Sequence, residues 1–348
     1  MLLPCFTFTK PCDNMTRMDG IHYGFCCSGT VLFFLESPIH PGMKVVIYMK
    51  VGFIGAGRVG FALGKYFREH GVEVAGYYSR NIQSAQEAAD FTASEAYASP
   101  EAVLEACEML FLTVPDGAIT RIYRGLCQQS IRGKIFCHAS GAMTAGEAFP
   151  DIEAHGACGY AVHPFFAVSD KYHSYSELAD VFFTLEGSKP RLAAMLAWLQ
   201  KTGLRVQTIQ ASCKPKYHAA ASIVCNQVAA LFAEAQDLLM ECGFDAETAM
   251  AALKNIFLGN ASHIAQVGAV KALTGPVQRC DTTTVARHLS VLGNPHDRLL
   301  YILLSERLVE VAKKGKSDYD ERAMRELLEG EYAKIIAGEY ASLASDQK

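Results

Sequence analysis

From residue 50 to residue 209, short apolar runs alternate with longer stretches whose apolar residues recur at the spacing of one helix face. Residues 50–54, 72–78, 108–114, 134–137, 156–162 and 181–186 have strand length and a largely apolar character, and 204–209 is a possible last strand. Phe61, Leu63 and Phe67 open a helical pattern after the first run, and another helix is expected near Ala118. Such alternation predicts an α/β domain built on a doubly wound sheet. Beyond residue 209 the strand patterns stop. Residues 214–240 read as one long helix rich in alanine and leucine, closed by Gly243. Gly275-Pro276 breaks a later helix, Asp281 or Thr282 suits the N-cap of the next, and residues 302–312 form an amphipathic helix before a charged tail. The pattern divides the chain into an α/β domain over 49–210 and an all-α domain over 211–348.

Residues 1–48 fit neither pattern. They hold four of the twelve cysteines, sustain no periodicity for long, and are broken by Pro38 and Pro41. At Met49 a buried strand starts at once, so Met49 is expected to be the natural start and the preceding stretch an extension. The formal charge of −4, from 32 basic and 36 acidic side chains, gives no excess to neutralise a phosphate backbone or an anionic lipid surface. Neither a nucleic-acid nor a membrane partner is expected, and no apolar run reaches the roughly 18 residues of a spanning helix. The cysteines form no C-x-x-C pair and no ladder with histidine at zinc spacing. Reduced cytoplasmic thiols and no metal site are the expectation.

Chemistry enters with Gly55-Ala56-Gly57-Arg58-Val59-Gly60, a G-x-G-x-x-G sequence between a strand and a helix. The first glycine allows a tight turn, the second lets a pyrophosphate approach the backbone, and the third lets helix and strand pack closely, with the helix N-terminus facing the phosphates. A second strand over 72–78 completes the βαβ unit of a Rossmann domain. The residue type at its end selects the cofactor, because an acid there accepts from a free ribose 2′-hydroxyl and repels a 2′-phosphate. This chain has Ser79-Arg80-Asn81, all donors, so NADP(H) is expected over NAD(H); a solvated Arg80 is the alternative. Val114-Pro115-Asp116 ends another strand and should flank the cofactor.

Ligands gather at the carboxyl ends of strands in open α/β sheets, which places Ser140 and His163 at the mouth. The His163 imidazole could exchange a proton with a reacting oxygen or nitrogen, although a histidine before Pro164 can also be a turn residue. Ser140 reads as a hydrogen-bond donor to substrate or nicotinamide rather than a nucleophile, with no G-x-S-x-G around it. His138 reads as a satisfied buried histidine. On the long helix His218, Ser222 and Asn226 stand at i, i+4 and i+8, a polar stripe on an element expected to be buried, facing either a ligand or loop carbonyls. Arg279 could bind a substrate carboxylate or pair with Asp281.

Together these motifs resemble the Rossmann-like proteins with a C-terminal helical domain that are labelled NADP oxidoreductases of the deazaflavin-dependent type. The likeness runs from Met49 to about Leu292. It is carried by the glycine turn, Ser79-Arg80, Val114-Pro115-Asp116, His138-Ala139-Ser140-Gly141-Ala142, His163-Pro164, Tyr217-His218 to Asn226, and Ala272-Leu273-Thr274-Gly275-Pro276 through His288. The family pattern has glycine where this chain has Cys280. More distantly the layout is similar to enzymes of the six-phosphogluconate-dehydrogenase type. That resemblance implies a substrate between the two domains and a homodimer formed through the helical one. Prephenate dehydrogenases have a serine and a histidine where Ser140 and His163 stand. The lysine that β-hydroxyacid dehydrogenases place four residues before an asparagine is Ser222 here, which argues against a lysine-driven mechanism. The expectation is an NADP(H)-dependent oxidoreductase acting on a small carbonyl, imine or hydroxyl compound, with His163, Ser140, Asn226 and His218 at the site. A non-catalytic dinucleotide sensor or assembly protein is the alternative.

Overall fold

In the computed structural model, backbone is described for Met49 to Ser345 and for four strands before it, and side chains for residues 49–337. The early strands, β1 (Thr16–Met18), β2 (Ile21–Phe25), β3 (Val31–Glu36) and β4 (Lys44–Ile47), form an antiparallel sheet in sequential order. This differs from the expectation of no sustained element there; the prolines at 38 and 41 and the four cysteines lie outside the described side chains.

The main sheet has eight strands: β5 (Val51–Ile54), β6 (Val74–Tyr78), β7 (Glu95–Ala96), β8 (Met109–Leu112), β9 (Ile135–His138), β10 (Cys158–Pro164), β11 (Phe182–Gly187) and β12 (Arg205–Thr208). Their order is β12-β11-β10-β9-β8-β5-β6-β7, parallel from β10 to β7, with β11 antiparallel to β10 and parallel to β12. This is the doubly wound α/β sheet that the alternation predicts. Seven strands lie where apolar runs mark them. β7 was not anticipated, since two residues carry no periodicity.

Helices cover both faces because each presents one apolar stripe. α1 (Arg58–Glu69), α2 (Ile82–Thr92) and α6 (Leu192–Lys201) pack Phe61, Phe67, Ala85, Ala88, Trp198 and Leu199 on one face of the sheet. On the other, α3 (Pro100–Ala106), α4 (Asp116–Leu126) and α5 (Ala145–Ala148) contribute Val103, Leu104, Ile119, Tyr123 and Ala148. Two central strands, β5 and β8, send alternate residues into the two cores: Phe53 and Phe111 face one, Ile54 and Leu112 the other.

The expected long helix is three pieces: α7 (Lys214–Ser222), a π turn at Ile223–Gln227, and α8 (Val228–Glu241). The chain separates into compact units at Met1–Cys225 and Asn226–Lys348, inside that π turn. In the second unit follow α9 (Ala246–Val267), α10 (Ala269–Ala272), α11 (Thr282–Val291), α12 (Pro295–Gly315) and α13 (Arg322–Ser345). Val285, Leu289, Ile302, Val309, Met324 and Leu328 make a core of α11, α12 and α13. Asp281 caps α11, accepting from the Thr284 amide at 3.0 Å, and it forms no ion pair with Arg279 among the described residues. Cys280 has φ +56°, the left-handed conformation that suits the glycine of the family pattern.

Candidate functional site

The glycine turn is built as the residue order requires. Gly55 has φ +109°, and a Cβ there would lie 2.4 Å from the Thr113 carbonyl oxygen. At Gly60 a Cβ would meet the Gly55 oxygen at 2.4 Å and Thr113 Oγ1 at 2.6 Å, so α1 can approach β5 and β8 this closely only without a side chain. Thr113 Oγ1 donates to the Gly55 carbonyl at 2.7 Å and ties the turn to the chain leaving β8. A Cβ on Gly57, by contrast, would meet nothing within 4 Å, and this residue caps α1 with no side-chain hydrogen bond and no acid in the first turn. The first amides of α1 are thereby left for an anion, with the helix dipole favouring it.

A cavity of about 650 Å³ opens over this turn. Gly55, Ala56 and Gly57 form one wall, Tyr78, Ser79, Arg80 and Ser84 another, and Val114, Pro115, Ala118 and Arg121 a third. No carboxylate lines it, and among the described residues neither Arg80 nor Arg121 has a hydrogen bond or ion pair. Two uncompensated guanidiniums beside an uncapped helix N-terminus fit a ligand with several phosphates. Arg58, Val59 and Gly60, in the first turn of α1, do not line the cavity, and neither does Asp116. Arg121 was not singled out in the sequence, because it reaches the cavity from the middle of a helix whose pattern marks only its buried face.

A second cluster gathers at the carboxyl ends of β9 and β10. Asp116, the first residue of α4, accepts from Ser140 Oγ at 2.6 Å. Ser140 Oγ in turn accepts from the amides of Ala142 at 3.3 Å and Met143 at 3.0 Å. The hydroxyl is thus engaged within its own loop and donates to Asp116, not outward as expected. His138 is fully buried, its Nδ1 accepts from the Ser140 amide at 3.1 Å, and its Nε2 has no hydrogen-bond partner among the described residues. Burial, followed by the Lys214 charge, pushes its pKa down to about 3, so it is a neutral core histidine, half satisfied where full satisfaction was expected.

His163 lies inside β10, in register with Thr184 of β11. Its Nδ1 is 2.7 Å from the Tyr217 hydroxyl, and the two rings meet edge to face. Burial, then the charges of Lys214 and His218, lower its pKa to about 4. Gly141 explains the small residues of the adjoining loop: a Cβ there would lie 2.5 Å from His218 Cδ2 and 2.8 Å from His163 Nε2. Ser140, His163 and His218 are thus neighbours around one glycine. The buried polar stripe is not observed: His218 and Asn226 are exposed and Ser222 is half-buried. The π turn breaks the register that would have aligned Asn226 with the other two, and Asn226 begins the second unit.

Lys214 was missed. It opens α7 with no exposed surface, donates from Nζ to the Ser140 carbonyl at 2.9 Å, and stands 4.0 Å from Glu186 Oε1. Glu186, also buried, accepts from the Ala145 amide at 2.6 Å. Burial lowers the lysine's pKa and raises the glutamate's, and each charge opposes the shift of the other. The pair grips the loop from Ser140 to Ala145 at both ends. Its one sequence signal is the i, i+4 spacing from Lys214 to His218, which on a solvated helix end means nothing. Among the described residues no group of histidine, cysteine and acidic side chains could hold a metal ion, and no helix is long and apolar enough to cross a membrane.

The cavity over the glycine turn and the cluster around Gly141 can be compared with known proteins. Residues 37–164 match the family model of a Rossmann-like domain, and residues 181–308 that of a domain of unknown function, DUF2520. No curated protein matches the chain. Among solved structures, the "putative NADP oxidoreductase BF3122" of Bacteroides fragilis is 23% identical with a TM-score of 0.57, covering 75% of this chain and 98% of its own. Protein TM1727 of Thermotoga maritima is 24% identical with a TM-score of 0.61, covering 76% of this chain and 98% of its own. A reductive aminase of Aspergillus terreus, in complex with NADPH and ethyl-5-oxohexanoate, is 14% identical with a TM-score of 0.52, covering 83% and 95%. These likenesses establish the fold. The chain is similar to proteins that join a Rossmann-like domain to a DUF2520 domain.

Proposed function

We propose that this protein is an NADP(H)-dependent oxidoreductase that moves hydride to or from a small carbonyl, imine or hydroxyl compound. The observation that carries the reading is the cavity over the glycine turn, with an uncapped helix N-terminus at one side, Arg80 and Arg121 on its walls and no carboxylate among them. Arg80, with Ser79 and Ser84 beside it, would hold the adenosine 2′-phosphate; Val114 and Pro115 would flank the dinucleotide. When bound, the nicotinamide supplies or accepts the hydride. The protein's own part is positioning and proton handling. His163 meets the reacting oxygen or nitrogen, His218 lies beside it across Gly141, and Asp116 and Ser140 fix the loop between them.

Two further parts of the reading concern the whole protein. The eight described cysteines are free thiols, which suits the reducing cytoplasm. In the second unit α8 buries no residue and α9 only Ala249, and Met250, Ile256 and Leu258 are more than half exposed. An apolar helix pair so uncovered supports a homodimer through this face.

The test is NADPH oxidation followed by absorbance with a set of 2-oxo acids, cyclic imines and an oxidised deazaflavin. At least one member is expected to react, and His163→Asn is expected to cut turnover about tenfold or more, a barrier change of at least about 1.4 kcal/mol, with NADPH affinity kept. Tight NADPH binding without any hydride transfer would instead support a dinucleotide sensor.

A further inference from the structure

His163 can be neutral in two forms, and the one it adopts decides whether the site offers a substrate a hydrogen-bond donor or an acceptor. One ring nitrogen is already committed: Nδ1 sits 2.7 Å from the Tyr217 hydroxyl. Of the two ways to place the shared proton, the phenol is the stronger acid and an unprotonated imidazole nitrogen the better acceptor, so the hydroxyl donates. The other nitrogen must then carry the proton. That atom, Nε2, is the one that would lie 2.8 Å from a Cβ on Gly141, in the gap the glycine keeps open beside His218.

Tyr217 is itself held. Its ring packs edge to face on His163 and tilted on Phe165, with centroids 5.5 and 5.0 Å away, and the Thr184 side chain reaches its hydroxyl. Thr184 is also the cross-strand partner of His163, so β10, β11 and α7 jointly fix the geometry.

We propose that Tyr217 is a positioning residue that locks His163 in the tautomer with its proton on Nε2, presenting an N–H donor at Gly141. A carbonyl oxygen or an imine nitrogen is an acceptor without a proton of its own, so this donor suits the oxidised member of the substrate pair, whereas accepting the proton of a hydroxyl or amine would need the other tautomer. That substrate preference rests on the oxidoreductase reading; the tautomer does not.

The experiment is nitrogen NMR of the full-length protein labelled with ¹⁵N-histidine, at neutral pH, with the His163 signals identified by their loss in His163→Gln. The expected result is a pyridine-type Nδ1 and a protonated Nε2 in the unaltered protein, and loss of that preference in Tyr217→Phe. A proton on Nδ1 in the unaltered protein would overturn the proposal, and this measurement needs no variant of Tyr217 to fold. An unchanged tautomer in a folded Tyr217→Phe would overturn it equally. Absence of any NADPH-linked turnover, with the tautomer as expected, would remove the oxidoreductase reading and leave the role of Tyr217 standing.

Discussion

At the scale of single residues, burial decides the state of the site's histidines. His138 and His163 have folded pKa values of about 3 and about 4, below the ordinary 6.5, so both are neutral in the folded protein near pH 7. Between pH 6.5 and about 4 the unfolded chain binds protons there that the folded chain does not, and stability rises with pH. Unfolding in urea should therefore show the midpoint falling as pH drops through this window, with the unfolding free energy falling by on the order of a few kcal/mol in total, and His138→Gln should flatten the fall. A midpoint independent of pH there would contradict the burial of both rings. The positions of Ser79, Arg80, Ser140 and His163 near strand ends were legible in the sequence because each follows an apolar run of strand length. Lys214, Glu186, Tyr217 and Arg121 were not. Lys214, Glu186 and Tyr217 each act through a partner distant in sequence, as Lys214 does on Ser140, and Arg121 reaches the cavity from the middle of a helix; no periodicity records either.

Among elements, the strand–turn–helix unit from β5 to α1 is the most constrained, and two of its glycines should separate folding from binding. Gly57→Ala adds a methyl that meets no protein atom within 4 Å, at an extended φ of −83° that alanine accepts. It should leave thermal stability unchanged and weaken NADPH binding about tenfold or more, a loss of at least about 1.4 kcal/mol. Gly60→Ala adds one 2.4 Å from the Gly55 oxygen, and should cost about 1–3 kcal/mol of stability in a calorimetric melt as well. Equal effects of the two would show that the open space beside Gly57 does not receive a ligand. The same unit shows why apolar runs revealed seven of the eight main-sheet strands, whereas the π turn at Ile223–Gln227 was hidden. A π turn keeps the composition of a helix and changes only its register, so the stripe of His218, Ser222 and Asn226 looked continuous in sequence.

For the whole molecule, the two units differ in how they satisfy their apolar surface. The sheet is covered on both faces, whereas α8 and α9 pack on each other and leave Ile256 at 70% and Met250 at 60% exposure. Such a patch on a chain of near-neutral charge predicts a dimer mass in analytical ultracentrifugation, and Met250→Glu combined with Ile256→Glu should give a folded monomer. A monomer before substitution would remove this face from the account. The claim on which the functional reading stands is the nucleotide site itself, and it is tested most directly by calorimetric titration of the intact protein with NADPH and with NADH. Saturable binding that favours NADPH, with the preference abolished in Arg80→Asp, is the result expected. No heat from either nucleotide at millimolar concentration would contradict it.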